Sequence, residues 1–180
     1  MGKFAFKTIL FALTLGWLSS CVGLKTGSNG NTAPGLIKVF SKGKDSLLCH
    51  AGPVMYTPVN CNDDLEIDYT YLKVKDHSNA VVCNFSLVSK DATFRPESVT
   101  IQVNEKRTTV NQLEKFFAEG YGKKEYKFRY SFQVSDSLFY DMMNTESLLI
   151  SVNDRAFKGG KDHRKKSNLI FRAVLFDLYN

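Results

Sequence analysis

Residues 126–134 read YKFRYSFQV, in which apolar or aromatic side chains alternate with polar ones. Successive side chains of an extended chain point to opposite faces, so this alternation is typical of a β-strand with one face buried and the other in water. The pattern predicts that Phe128 and Phe132 point into the core. A shift of one residue would turn both rings to the solvent, because a strand repeats every two residues.

The same alternation recurs in four other segments of the chain. Shorter strands are expected near Ile37 and Val54. The segment Leu169–Leu178 is apolar on both faces apart from Arg172 and Asp177, and it is expected to be a central strand or a strand covered by a helix. The apolar residues of the four alternating segments are Leu65, Ile67, Tyr69 and Tyr71; Val81, Cys83, Phe85 and Leu87; Val99, Ile101 and Val103; and Leu148, Ile150 and Val152.

Short and frequent strands of this kind predict a mainly β fold. We expect a single β-sandwich of seven or eight mostly antiparallel strands with two short helices. A small β-barrel is the alternative, because eight strands can also close around a ligand cavity. The core is expected to contain Ile67, Tyr69, Phe85, Leu87, Ile101, Phe128, Phe132, Ile150 and Phe171.

Two segments have the pattern of short helices. The first has capping-box spacing at residues 109–112 and a glycine stop at Gly120; its apolar stripe is Leu113, Phe116 and Phe117. The second follows Ser135 or Asp136 as its N-cap, and its apolar face is Leu138, Phe139 and Met142.

The first twenty residues have the composition of a secretory signal. Residues 1–7 carry two lysines and no acid, and Thr8–Leu18 is almost wholly apolar. A short basic segment, an apolar segment and then small residues predict export. A membrane span is the alternative, but the apolar segment is shorter than the roughly 18 residues that a helix needs to cross the hydrocarbon core.

The signal ends in Leu18, Ser19, Ser20 and Cys21. This motif resembles the lipobox of bacterial lipoprotein precursors, an aliphatic residue and two small residues before the cysteine that is modified. The resemblance covers about the first 21 residues and implies cleavage before Cys21, followed by attachment of diacylglycerol and a further acyl chain such as palmitate. Val22 stands where an aspartate would resemble an inner-membrane retention signal, and acidic residues that would resemble a surface-export signal do not follow the cysteine. The resemblance therefore implies an outer-membrane protein facing the periplasm.

The chain is therefore expected to have three parts. Residues 1–20 are the signal peptide, residues 21–35 are the lipidated cysteine and a flexible tether, and residues 36–180 are one β-sandwich domain. The tether Val22–Pro34 is rich in Gly, Ser, Asn and Thr. A flexible coil of this length has a root-mean-square reach of about 20 Å.

Three cysteines remain after Cys21 is modified: Cys49, Cys61 and Cys83. An oxidising compartment permits one disulfide among them. We expect a Cys49–Cys61 bridge across a turn-rich stretch, which would add about 3 kcal/mol of stability in the chain-entropy model. Pairs that involve Cys83 and a state with all three thiols reduced remain alternatives.

The net charge of +6 is concentrated in one segment. Removing the two leader lysines leaves +4, and residues 155–166 alone carry +5. We expect this segment to be a loop between the last two strands that contacts an anionic surface or partner, and a solvated connection is the alternative. The rest of the domain is not basic, so nucleic acid is not an expected partner. The cations of the segment are Arg155, Lys158, Lys161, Arg164, Lys165 and Lys166.

The chemistry of the side chains gives no recognisable catalytic or metal site. The histidines His50, His77 and His163 are far apart, and the spacings typical of zinc or calcium ligands do not occur. No nucleophile elbow is present, and no cofactor is expected. The sequence therefore favours a non-enzymatic interaction or assembly module of the cell envelope, anchored to the membrane by lipid and bound to an envelope protein. A ligand-carrying β-barrel and a hydrolase with a dispersed active site are the alternatives.

Overall fold

The computed structural model describes residues 36–43, 46–74 and 80–179. The predicted signal peptide, Cys21 and the tether lie outside the described residues. His77 lies outside them as well.

The described residues form ten strands and two helices, which confirms the prediction of a mainly β fold. The elements are β1 (Ile37–Gly43), β2 (Ser46–Pro58), β3 (Asp64–Val74), β4 (Ala80–Ser89), β5 (Val99–Val103), β6 (Lys106–Val110), β7 (Glu114–Tyr121), β8 (Glu125–Ser135), α1 (Asp136–Asn144), β9 (Leu148–Val152), β10 (Arg155–Gly159) and α2 (Lys161–Tyr179).

All ten described strands belong to one antiparallel sheet; nine follow the order β6-β5-β9-β10-β2-β3-β4-β8-β7, and β1 pairs with β2 beside this path. The long strand β2 has β3 along one edge. Its other edge is shared, because β1 pairs with its first half up to Ala51 and β10 pairs with its last residues from Tyr56. The register of β2 against β3 shifts between Ala51 and Val54, which marks a β-bulge in the middle of the strand.

The sheet is strongly curled. Strands β6 and β7 are its two ends, yet only residues 111–113 separate them in the chain. A stretch of this length spans at most about 14 Å, so the two edges must meet at this point. The result is a half-barrel, which is compatible both with the sandwich and with the barrel that the sequence predicts.

The inner face of the sheet forms the core with the register that the sequence predicts. Eight of the nine predicted core residues are buried, and Phe171 is partly buried. The outer face is polar, where Arg129 pairs with Asp68, and Lys127 pairs with Glu66 at 3.2 Å. Helix α1 covers the inner face of β3, where the ring of Phe139 lies 5.4 Å from that of Tyr69.

The prediction of a helix between residues 109 and 120 is wrong. Thr109 and Val110 belong to β6, and the apolar stripe lies in or just before β7. Strand β7 pairs with β8 from Glu114–Ser131 to Tyr121–Glu125. A helix of about ten residues is marginal by itself, so the backbone pairing that β8 offers decides the structure.

The two remaining helix and strand predictions have opposite outcomes. Helix α1 is confirmed, and its N-cap Ser135 accepts a hydrogen bond from the Leu138 N–H at 3.3 Å. Leu169–Leu178 is not a strand, because it belongs to α2. The buried residues of α2 follow the helical period, which an apolar segment taken in isolation does not reveal; they are His163, Ser167, Ile170 and Ala173.

We expect Phe128→Ala to lower the free energy of unfolding by about 3–5 kcal/mol, because it leaves a cavity at a fully packed position. Phe128 is buried on the inner face of β8, and its ring packs edge-on against that of Phe94. Chemical denaturation of the full chain measures the change. Gln133→Ala is the matched control on the exposed face of the same strand, and a comparable loss in this control would contradict the register.

Candidate functional site

The first turns of α2 fill a gap in the edge of β2. Residues 52–55 lie between the stretch that β1 covers and the stretch that β10 covers. Here the Met55 N–H donates to the Asp162 carboxylate at 3.0 Å, and Lys166 Nζ donates to the Pro53 carbonyl at 2.8 Å. Asp162 and Lys166 also pair with each other at 3.0 Å. The helix therefore supplies the hydrogen-bond partners that a neighbouring strand would otherwise provide.

The pKa of Asp162 reflects these contacts. Burial by itself would raise this pKa, but the Met55 N–H and the Lys166 ammonium outweigh burial and hold it below its usual range. Asp162 is thus ionised at neutral pH, and its charge is used inside the protein rather than offered to a partner.

His163 is buried beneath the same helix turn. Its Nε2 hydrogen-bonds to the Met142 carbonyl at 3.2 Å, and its ring lies 5.5 Å from that of Tyr56. A Cβ atom at Gly159 would lie 2.8 Å from His163 Nδ1, and one at Gly160 would lie 2.6 Å from a side-chain oxygen of β2. The two glycines are therefore positions where close packing requires glycine.

Next to this histidine lies a buried pair of tyrosines. The hydroxyls of Tyr56 and Tyr69 are 2.6 Å apart. Burial raises the pKa of both hydroxyls and of the neighbouring Cys83 thiol, so all three groups are neutral at physiological pH. Hydrogen bonding between the two hydroxyls satisfies their polarity within the core.

Arg155 differs from the other residues of the predicted anionic contact, because it is tied into the fold. Its guanidinium pairs with Asp63 and, at 3.0 Å, with Asp91. It also lies over the ring of Phe94, 3.6 Å from the centroid. Arg155 thereby joins the start of β10 to the β2–β3 turn and to the β4–β5 connection, and it is not available to a partner.

The remaining cations of residues 155–166 are not in a loop, as the sequence analysis expected. Lys158 is in β10, and the others are in the first turns of α2. Asn153 and Asp154 form the two-residue turn before β10, with Asn153 at φ 53°. This turn chemistry is the signal that indicates a strand here. Lys166 is used in the gap of β2, whereas four cations are exposed: Lys158, Lys161, Arg164 and Lys165.

The expected Cys49–Cys61 bridge is not formed. Cys49 is near the start of β2, opposite Tyr71, and Cys61 lies beyond the other end of that strand. Nine residues of extended chain from Cys49 to Pro58 span about 30 Å. A disulfide requires Cα atoms within about 7 Å. The glycine and proline residues of this stretch suggested turns, but the stretch up to Pro58 belongs to the continuous strand β2.

The edge strand β7 carries an exposed aromatic surface that the sequence analysis did not identify. All eight of its residues are exposed. Three of the five exposed large apolar side chains in the described part of the chain lie on it, namely Phe116, Phe117 and Tyr121. The aromatic residues are evident in the sequence, but the predicted helix did not place them on an open sheet edge.

The opposite edge of the sheet has a different character. Strand β6 reads KRTTV, and its exposed residues include Lys106 and Arg107. Charged side chains on an edge strand discourage pairing with other chains. The β7 edge has a bulge near its start, between Lys115 and Phe117. The stretch from Phe117 to Tyr121 follows this bulge, has one charged residue, Glu119, and is the accessible part of the edge.

Two further features concern metals and membranes. The described residues contain no cluster of three or more histidine, cysteine or acidic side chains that could hold a metal ion. Neither helix in the described ranges combines the length and the apolar character that crossing a bilayer requires.

No family model matches the chain, and searches of the curated proteins and of the solved structures find no significant match. The function must therefore be argued from the surfaces described above.

We expect the stability of the protein to fall as the pH drops below about 6.5 because of His163. Burial lowers the pKa of His163 in the folded chain, so the unfolded chain binds this proton more readily. The contribution of neutral His163 to the free energy of unfolding is fully present above the pKa of histidine in the unfolded chain, about 6.5. Below this pH the contribution is lost, by at most about 1.4 kcal/mol per pH unit. Denaturation in urea at a series of pH values measures the slope.

His163→Gln removes the titrating ring and should flatten this slope. The matched control is His50→Gln, which removes a half-buried histidine bonded to Thr70 at 2.8 Å. A His163→Gln slope equal to that of the parent protein would show that another group causes the pH dependence.

We expect Arg155→Ala to cost about 3 kcal/mol of unfolding free energy, because it leaves the buried carboxylate of Asp63 without its cation. Lys158→Ala, three residues along the same strand at an exposed position, should change stability by less than about 0.5 kcal/mol. Thermal and chemical denaturation distinguish the two variants, and equal effects would rule out a structural role for Arg155.

Proposed function

We propose that the chain is a lipid-anchored envelope lipoprotein whose β domain is a non-enzymatic interaction module, with the β7 edge as its contact for a partner protein. The exposed aromatic edge of β7 is the observation that carries this proposal. The lipobox at Cys21 supports the anchor, and the placement on the periplasmic face of the outer membrane follows from Val22.

The chemistry of an open edge defines the kind of partner. A strand edge presents backbone N–H and C=O groups in a row, and an extended segment of another protein satisfies them by adding a strand. Aromatic side chains contribute most of the affinity in many protein interfaces, because each buries a large area with few rotatable bonds. Phe117 and Tyr121 lie at the two ends of the accessible stretch and would pack against the side chains of such a segment.

The alternative functions receive less support. The inner face of the half-barrel is occupied by packed side chains, including the rings of Tyr69, Phe85 and Phe139, where a ligand carrier would need space. For a hydrolase, the nitrogen Nε2 of His163 is bound to a backbone carbonyl and its ring is buried, which prevents contact with a substrate.

The anchor is tested by metabolic labelling with a palmitate analogue. The parent chain should incorporate the label and fractionate with membranes, whereas Cys21→Ala should lose both properties, because a lipidated cysteine provides the attachment. Label retained in the variant would contradict the lipobox interpretation.

The β7 contact is tested with a photo-crosslinking amino acid at each position from Phe117 to Tyr121 in cells. If a partner adds as a strand, the crosslinked positions on one partner segment should advance in step with the position on β7, as mapped by mass spectrometry. The matched control is a crosslinker at Glu97, which is exposed and outside the sheet edge.

Crosslinks that match the control in yield, or that scatter over unrelated proteins, would contradict the proposed contact. The label at Cys21 is scored independently, so failure of the β7 contact leaves the anchor in place.

A further inference from the structure

The tether leaves the described domain beside the first turns of α2. Leu36 is the first described residue, and its carbonyl accepts a hydrogen bond from the Gly52 N–H. The carbonyl of the next residue of β2, Pro53, accepts a hydrogen bond from the Lys166 ammonium. The end of the domain nearest Cys21 and the N-terminal part of α2 are therefore joined through two adjacent residues of β2.

The outward side of α2 is basic along its described length. Its exposed cations lie three, four and eleven residues after the first, and the exposed Asn168 lies seven residues after it; we call Lys161, Arg164, Lys165 and Arg172 the basic stripe. The acid in this part of the helix is Asp162, which is directed to Met55 and Lys166. Among the described residues, the ion pairs do not involve any member of the basic stripe.

We infer that the basic stripe is the surface by which the domain docks on the anionic headgroups of the membrane that holds Cys21. The inference rests on the lipid anchor of the proposed function. Only 15 residues lead from Cys21 to Leu36, so this end of the domain stays within about 50 Å of the bilayer. Tethering makes docking an intramolecular event and raises the effective concentration of the headgroups.

The composition of the stripe favours a lipid surface over a protein. Exposed lysine and arginine side chains attract anionic headgroups individually and within a Debye length of about 8 Å at physiological salt. The stripe contains no aromatic or aliphatic residue of the kind that anchors a protein interface. The aromatic residues of the surface are on β7 instead, so the two surfaces have different partners.

Docking is tested on the full-length lipidated chain in vesicles of phosphatidylcholine alone or with phosphatidylglycerol. An amine-reactive reagent reports the accessibility of Lys161 and Lys165, and Lys123 and Lys124 in the β7–β8 turn are exposed reference lysines. In the anionic vesicles, labelling of Lys161 and Lys165 should fall about fivefold while the reference lysines are unchanged. Because the attraction is screened, 1 M salt should restore the labelling.

A double variant keeps both reporter lysines and removes the other half of the stripe. Arg164→Ser with Arg172→Ser should abolish most of the protection in anionic vesicles. The matched control is Lys123→Ser with Lys124→Ser, which removes the same charge elsewhere and should leave the protection intact.

The outcomes separate the inference from the anchor. If the chain fails to sediment with vesicles of either composition, the anchor is wrong and the inference falls with it. If the chain sediments but Lys161 and Lys165 react equally in both vesicles, the inference alone is overturned. Protection that requires an added acidic protein rather than anionic lipid would also overturn it and would assign the stripe to that protein.

Discussion

The short connection between β6 and β7 is the constraint on which the rest of the structure depends. Since residues 111–113 must join the two ends of a nine-strand path, the sheet cannot remain open and flat. Its inner face becomes concave and has to be filled, which explains the many aromatic residues of β3, β4 and β8. Helix α1 supplies the remaining volume with Phe139 and Met142. The curl also brings the two sheet edges together at one point while each edge stays unpaired along its length.

The different surface properties of the two sheet edges and of α2 follow from this arrangement. One edge ends in the charged strand β6, the other in the aromatic strand β7, and the gap in the middle of β2 is completed by a helix rather than a strand. A helix that completes a sheet edge directs its two hydrogen-bonding side chains inward. Its opposite side is then available for other contacts, and the charged side chains described on that side of α2 are positive. A lipid-anchored protein with separate surfaces for the bilayer and for a partner can hold that partner at a fixed orientation to the membrane.

Strands with one buried and one exposed face could be predicted from the sequence. Segments whose structure depends on contacts with distant parts of the chain could not. The register of β8 follows from residues 126–134, because a half-buried strand must alternate, and β3, β4, β5 and β9 are predictable for the same reason. Residues 109–120 have the spacing of a short helix, but residues 109–110 pair with β5 and residues 114–120 pair with β8, so the partner strands decide the structure. The cations of residues 155–166 were recognised in the sequence, but their different roles were not. Arg155 forms buried ion pairs because it contacts Asp63, and α2 leaves other cations exposed because its first turns contact Met55; both contacts are far away in the chain. The β7 edge could not be predicted, since exposure of an edge is a property of the whole sheet.

The completion of β2 by α2 has a consequence for the order of events during the export that we propose. The hydrogen bonds from Met55 to Asp162 and from Lys166 to Pro53 join residues 107 and 113 positions apart. Contacts of such high sequence separation form late, because a long loop must close before they contribute. During the proposed export, the middle of β2 keeps an open edge and the position of His163 in the core stays unfilled until the C-terminal residues have crossed the membrane. The arrangement of the fold thus delays complete compaction until the last part of the chain is available, which is compatible with the proposed export of an unfolded chain.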